Sequence, residues 1–435
     1  MSSNTRSSNS IAAHELSSES ITFSDLPLQS ALISRVTELG FKHPTAIQEK
    51  AIPHVLAGED ILAGAQTGTG KTAAFGLPII EKLLNAEPKP DDKSIRALVL
   101  VPTRELAQQV YTSLCDYSQD MGLHIVVAYG GTSLNVQRDL LRKGADILVA
   151  TPGRLLDHAY TKTIVLNRTE MLVLDEADRM LDMGFLPDIQ RVIRKLPAQR
   201  QTMLFSATFD NRIKKLAYKI LNNPVEEQVT PSNSTVETVE QIIYPVDKRR
   251  KSELLAYLIG SRNWQQTLVF TKTKQGSDAL VKELKLDGIK AASINGDKSQ
   301  GARQKALDDF KAGKIRALIA TDVAARGIDI QELQAVVNYD LPYKAEDYIH
   351  RIGRTGRAGH QGLAVSFMSR DEEYLLKAVE SLLDQRLPQE WLQGFEPSLI
   401  ADLETEQPTK RLSRSAEKRK MKAKLNIHKN RGKRR

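Results

Sequence analysis

The chain is built from short apolar runs spaced about a helix apart, and that rhythm limits its fold more than any other feature. "DILAGA" (60–65), "RALVLVPT" (96–103), "HIVVAYGG" (124–131), "DILVATPG" (146–153), "MLVLDEAD" (171–178) and "TMLFSATF" (202–209) do not alternate apolar with polar residues. A strand that is apolar at successive positions is buried on both faces, the condition of a parallel sheet covered by helices. The segments between the runs are long enough for the crossover helices that parallel neighbours require. "EEQVTPSNSTV" (226–236) is polar and turn-rich, so it marks a linker. The rhythm then resumes in "QIIYPV" (241–246), "TLVFTKT" (267–273), "IKAASING" (289–296), "IRALIATD" (315–322), "AVVNYD" (335–340) and "GLAVSFM" (362–368). The expected fold class is α/β, with two domains at 22–225 and 237–385, each a mostly parallel sheet flanked by helices.

The ends have a different character. Residues 1–21 are Ser-rich, with little apolar pattern, and are expected to be disordered. They lack the basic-then-apolar pattern of a signal peptide. The extension 386–435 ends in a basic tail. From Pro408 to Arg435 there are thirteen Lys/Arg against one acid, a net +12 that leaves the other 407 residues at −3 of the chain's +9. The basicity therefore belongs to the tail, and nucleic acid is its expected partner. A solvated tail with no dedicated partner is the plainer alternative. The single cysteine, Cys115, excludes an intrachain disulfide framework and fits a reducing compartment. No 18-residue apolar run points to a membrane span. A cytoplasmic location is expected, with no membrane partner.

Two constellations carry chemistry. "AQTGTGKT" (65–72) follows the first apolar run. Glycines let backbone N–H groups approach phosphate oxygens, a lysine meets the β/γ-phosphates, and a hydroxyl meets Mg²⁺. Thr67, Gly68, Thr69, Gly70, Lys71 and Thr72 supply this cradle, although Ala65 stands where the usual pattern has glycine. The second constellation is a group of four carboxylates, Asp175, Glu176, Asp178 and Asp182, directly after a buried run. Burying unpaired carboxylates costs several kcal/mol each. In P-loop enzymes an acid at such a strand end holds Mg²⁺. Asp175 is expected to bind the ion with Thr72, largely through water. Glu176 is expected to orient and deprotonate the attacking water. A solvated helix start remains the alternative for Asp182.

Together, "AQTGTGKT" and "DEAD" (175–178) resemble the DEAD-box RNA helicases of helicase superfamily 2, over residues 22–370. The resemblance implies two RecA-like P-loop domains and an RNA-stimulated ATPase using ATP and Mg²⁺. In "GFKHPTAIQ" (40–48) it gives Gln48 the adenine edge, with Phe23 stacking on the base. "PTRELAQQ" (102–109), Gly130–Gly131 and "TPGRLLD" (151–157) resemble RNA-backbone motifs, which implies RNA contacts at Pro102, Arg104, Gly131, Thr151 and Arg154. "SAT" resembles the motif linking ATP state to RNA, with Ser206 and Thr208 hydrogen-bonding near Asp178.

In the second domain, Gln300 and Arg303 match a further RNA motif, preceded by Asn295 where many relatives carry His. "ATDVAARGIDI" (320–330) implies a phosphate contact at Thr321 and an ATP or water contact at Asp329. "HRIGRTGRAG" (350–359) implies arginine fingers at Arg354 and Arg357, with His350 coupling ATP to RNA.

The active site implied this way is complete only when the domains close, with single-stranded RNA bridging them. The expected partners are single-stranded and short duplex RNA, ribosomal or messenger, and RNP or RNA-decay proteins. The short form with a basic extension resembles the bacterial RhlE-like subgroup, acting as a monomer. An ATP-dependent clamp with little unwinding and a DNA-active superfamily 2 helicase are the alternatives. A generic P-loop kinase or GTPase leaves the second domain's arginine motif unexplained.

Overall fold

The computed structural model describes residues 21–65, 69–86, 94–229, 239–325, 330, 333–356 and 362–398. The first domain's strands are β1 (Ile61–Gly64), β2 (Ala97–Leu100), β3 (Ile125–Ala128), β4 (Ile147–Ala150), β5 (Met171–Leu174), β6 (Gln201–Ser206) and β7 (Val225–Gln228). They form one sheet in the order β3-β4-β2-β5-β6-β1-β7, and every pairing is parallel. Its helices are α1 (Ser30–Glu38), α2 (Ala46–Leu56), α3 (Lys71–Leu84), α4 (Arg104–Tyr117), α5 (Leu134–Leu141), α6 (Pro152–Tyr160), α7 (Ala177–Asp182), α8 (Leu186–Ile193) and α9 (Asn211–Ile220).

The unalternating runs now have their reason. Ile61, Ala63, Val99, Val149, Val173 and Met203 belong to one apolar cluster, and Leu62, Leu98, Leu100, Leu148, Leu172 and Leu204 to another. Successive side chains leave a pleated strand on opposite faces, so a sheet with two cores needs apolar residues at every position.

The second domain repeats the plan with β8 (Val239–Pro245), β9 (Thr267–Phe270), β10 (Ala291–Ile294), β11 (Ala317–Ala320), β12 (Ala335–Asn338) and β13 (Gly362–Met368). Their order is β10-β11-β9-β12-β13-β8, again with parallel pairings. Its helices are α10 (Lys251–Ser261), α11 (Lys274–Leu286), α12 (Gln300–Lys311), α13 (Asp322–Ala325), α14 (Ala345–Ile352) and α15 (Glu373–Leu383). No helix among the described residues is long and apolar enough to cross a membrane.

The structure differs from the sequence reading at two joins. Residues 226–228, read as linker, pair with β1 as part of β7. This edge strand is half exposed, so its sequence "VEEQ" lacks the apolar signature of the central strands. The second join lies beyond residue 385. Ile243 N–H donates to Pro388 O and Glu390 N–H donates to Ile243 O, each at 2.9 Å, so the chain lines the free edge of β8. Phe395 then stacks near Tyr257 of α10, with ring centroids 5.5 Å apart. Residues 388–398 thus lie against the second domain, covering an edge that would otherwise expose unpaired backbone groups.

Candidate functional site

The cradle lies at the carboxyl end of β1. Gly70 sits at φ +87° as the N-cap of α3. A side chain there would collide with the Gln48 amide, so the position requires glycine for both its backbone and its clearance. Lys71 opens α3 and is 6% exposed. Its ammonium lies 3.9 Å from Asp175 Oδ1 and has no hydrogen-bond partner among the described residues. A buried ammonium without an acceptor is costly, which marks this as a place for an anion. Thr72 adds a hydroxyl in the same helical turn.

Gln48 holds the cradle from behind. Its Oε1 accepts Thr45 N–H at 2.9 Å in a capping box that opens α2, and its Nε2 donates to Gly70 O at 3.1 Å. Thr45 Oγ1 donates to Thr69 O at 2.7 Å. An amide oxygen has a second lone pair and the nitrogen a second hydrogen, so these bonds leave Gln48 capacity for an adenine edge. Phe23 is 3% exposed and belongs to the first domain's core cluster, in the segment ahead of α1.

Asp175 leaves β5 facing Lys71 and accepts Glu176 N–H at 2.9 Å. Desolvation pushes its carboxyl up to about 6; Lys71 pulls the other way and Glu176 adds to the rise. Glu176 is held at φ +53°, unusual for a residue with a side chain, at the N-cap of α7. Its buried Oε2 has no hydrogen bond, although Arg179 Nε stands 3.3 Å away. The oxygen donors of Thr72 and Asp175 suit Mg²⁺, and waters and phosphate would complete its shell. Among the described residues no group of three His, Cys, Asp or Glu could hold a metal.

Asp178 Oδ2 accepts the backbone N–H of Ala207 at 3.2 Å. Ser206 and Thr208 bond each other instead: Ser206 Oγ donates to Thr208 O at 2.8 Å and accepts Thr208 N–H at 3.3 Å. The link between the two motifs therefore runs through the backbone of the residue between the two hydroxyls.

The first domain's expected RNA contacts gather at the ends of β2, β3 and β4. Pro102 is buried where β2 gives way to α4. Arg104 opens α4 and packs onto Gly131, which sits at φ +82° where a side chain would strike the guanidinium. Thr151 is the N-cap of α6. Arg154, a residue with an expected phosphate role, has a side chain only 10% exposed. It donates to Thr132 O at 3.2 Å and to Gln137 Oε1 at 2.8 Å, so here it braces the glycine turn.

The two domains meet through charge. Gln300 Nε2 donates to Glu105 Oε1 at 3.2 Å and Arg303 Nη2 lies 3.0 Å from the same oxygen. These two expected RNA residues thus face an acid of the other domain, and Glu105 is a functional candidate the sequence reading missed. Asp182 also finds its partner across the seam, Lys344 at 2.6 Å, with Arg212 at 3.2 Å. Partial burial raises the Asp182 carboxyl, but the two cations outweigh it and hold the group below its usual value. His350 and Arg354 line a cavity that Arg179 also lines from the first domain. An adjoining cleft of ≈ 340 Å³ runs from Asp178 and Thr208 to Lys344 and His350. Thr321 precedes α13, and its carbonyl accepts Ala324 and Ala325 N–H at 2.9 and 2.8 Å. Asn295 is fully buried; it donates to Ser277 Oγ at 2.9 Å and accepts Asp297 N–H at 3.1 Å, which makes it a turn organiser. Thr67, Gly68, Asp329 and Arg357 lie outside the described residues.

Comparison with known proteins matches this layout domain by domain. Residues 45–216 match the DEAD/DEAH box helicase family model and residues 250–359 match the helicase conserved C-terminal domain. The DEAD-box ATP-dependent RNA helicase CshA of Bacillus subtilis is 41% identical over 387 residues, 89% of this chain and 76% of that protein. The S. cerevisiae Dbp5 structure bound to RNA and ADP BeF3 is 32% identical, with TM-score 0.76 over 88% of this chain and 97% of that one. Dbp5 bound to Nup159, a Gle1 variant, IP6 and ADP is 31% identical over 84% and 96%, with TM-score 0.58. The chain belongs to the DEAD-box ATP-dependent RNA helicases.

Proposed function

We propose that the protein couples ATP hydrolysis to closure of its two domains on single-stranded RNA, opening short duplexes locally or remodelling RNA–protein complexes. The seam carries this reading: Glu105 meets Gln300 and Arg303 on one side, and His350 and Arg354 reach a cavity shared with Arg179 on the other. Lys71 meets the β/γ-phosphates, Gln48 the adenine edge, and Asp329 the ribose or the water network. Mg²⁺ held by Thr72 and, through water, by Asp175 would neutralise charge developing on the phosphates. Glu176 orients the attacking water and takes its proton. Arg354 and Arg357 arrive from the second domain, and such fingers contribute about 10³–10⁵ in rate. Closure therefore gates hydrolysis, and RNA that favours closure favours ATP binding by the same factor. Arg104, Gly131, Thr151 and Thr321 meet the RNA backbone, so selection rests on strand shape and 2′-OH groups. The expected setting is the bacterial cytoplasm, as a RhlE-like monomer in ribosome assembly or RNA turnover.

The test is steady-state ATP hydrolysis with no nucleic acid, with single-stranded RNA and with matched DNA, at two salt concentrations. RNA alone should stimulate. Equal stimulation by DNA would replace RNA with DNA in this reading. A chain ending before Pro408 should need more RNA for half-maximal stimulation, by a margin that shrinks as salt rises.

The state of Asp175 gives a second expected result. Its carboxyl sits at about 6 in the free protein, above its unfolded value. That raised value favours the free fold as pH drops below 6, and this contribution is lost as pH rises through 6. Binding of Mg·ATP needs the ionised form, so it should release a proton below about pH 6 and weaken up to tenfold per pH unit there. Calorimetry at pH 5.5 in two buffers of different ionisation enthalpy measures this. Equal heats in both buffers would mean that Asp175 is already ionised.

A further inference from the structure

His158, on α6, is completely buried outside the ATP site and has no part in the mechanism above. Its Nε2 lies 3.1 Å from Gln137 Oε1 on α5. The direction of that bond follows from the other end of the amide. Gln137 Nε2 donates to Tyr129 O at 3.0 Å and to Thr132 Oγ1 at 2.6 Å. A carbonyl oxygen only accepts, so the amide nitrogen must face Tyr129 and Oε1 must face His158. His158 therefore donates from Nε2, in its neutral form. Burial, with Arg154 next in effect, holds it down to about 4, so neutrality persists through ordinary pH. The same Gln137 Oε1 accepts Arg154 Nη1 at 2.8 Å, and both Arg154 Nη atoms reach Thr132 O.

We propose that His158 and Gln137 are positioning residues that set the glycine turn 130–132 against the start of α6, and thereby the backbone N–H groups and Thr151 that meet RNA. Gln137 bonds the turn at both ends, Tyr129 and Thr132. His158 adds a second donor to Gln137 Oε1 beside Arg154 and so holds the amide from the helix. Without its donor Gln137 Oε1 keeps only the Arg154 bond, so the amide, and with it the turn, is held less firmly. Gly131 and Arg104 are packed together, so a shift of the turn would also move Arg104.

This rests on the reading that this face binds RNA, and the experiment keeps the two apart. RNA affinity by fluorescence anisotropy, and the RNA dependence of ATP hydrolysis, are measured for wild type, His158→Met, His158→Gln and Arg104→Ala. His158→Met removes the donor and should raise the RNA concentration for half-maximal hydrolysis ~10-fold, with kcat at saturating RNA near wild type, the scale of one buried hydrogen bond. Glutamine can place an N–H where the imidazole Nε2 stood, so His158→Gln should recover most of that loss. Equal damage from both variants, or a fall in kcat alone, overturns the positioning role. If Arg104→Ala leaves RNA affinity unchanged, the RNA face itself is misassigned. If Arg104→Ala weakens RNA binding and His158→Met does not, only the positioning role fails. Should His158→Met fail to fold, Gln137→Met removes the same bond from the α5 side and is read by the same split.

Discussion

Glu176→Gln should lower the RNA-stimulated kcat by roughly 10²–10⁴-fold while leaving ATP and RNA affinities within a few-fold of wild type. The substitution keeps the shape of the side chain and removes its charge together with its capacity to take a proton. That corresponds to about 3–5 kcal/mol of barrier. Three features of the site lead to this expectation. Glu176 is locked in a left-handed backbone conformation at the cap of α7, its Oε2 is buried without a hydrogen bond, and Arg179 stands 3.3 Å away. A residue held in a strained conformation over an unfilled acceptor is the pattern expected where strain serves chemistry. Because Lys71 and Asp175 are untouched, nucleotide should still bind, and the closed RNA complex should outlive its wild-type counterpart. Single-turnover hydrolysis at saturating RNA, with RNA retention on the same samples, measures both effects. A kcat within threefold of wild type would remove Glu176 as the base.

The parts of this molecule that were legible in its sequence are those fixed by local constraints. A central strand buried on both faces must be apolar throughout, so the strands from β1 to β6 stand out; β7, half exposed at an edge, does not. Gly70 and Gly131 are legible because their backbone and clearance admit little else. What crosses the seam is not legible. Lys344 and Asp182 lie 162 positions apart, and Glu105 and Gln300 lie 195 apart. Sequence shows the type of such a residue but not its partner, so Gln300 and Arg303 read as RNA residues with no sign of the carboxylate of the other domain that they face. Backbone donors are invisible for another reason. Ala207 N–H makes the bond to Asp178, and nothing in an alanine announces it. His158 and Gln137 are hidden similarly, since their meaning lies in an amide orientation that only three-dimensional neighbours fix.

Arg351 is the largest omission, and replacing it should be the most damaging structural change in the second domain. It sits in "HRIGRTGRAG" between two residues with expected functional roles, yet it is 2% exposed. Its guanidinium forks onto Asp322 at 2.6 and 2.7 Å and donates to Asn338 Oδ1 at 3.0 Å and to Asp340 O at 2.7 Å. It also lies 4.9 Å over the Phe270 ring. One side chain thus ties α14 to the ends of β9 and β12 and to the start of α13. Arg351→Ala leaves Asp322 without its fork and Asn338 Oδ1 without this donor, a loss of about 3–5 kcal/mol. For a domain of this size that is a fall in melting temperature of roughly 6–20 °C. Lysine has one ammonium and cannot fork, so Arg351→Lys should recover only part of the loss. Both of the chain's tryptophans, Trp264 and Trp391, lie in the second domain or against it. Their fluorescence therefore follows that domain's unfolding, and nucleotide binding at the Lys71 cradle provides an independent check on the first. The tryptophan transition should move while nucleotide binding below it is kept. Hydrolysis should fall even at temperatures where the variant is folded, because Arg354, the finger proposed above, is carried on the turn that the Arg351 side chain braces. Glu176→Gln would lose turnover with its domains intact, whereas Arg351→Ala would lose it through the scaffold beneath the proposed finger. An unshifted tryptophan transition would show that the fork on Asp322 is dispensable, and the brace assigned to Arg351 would fall.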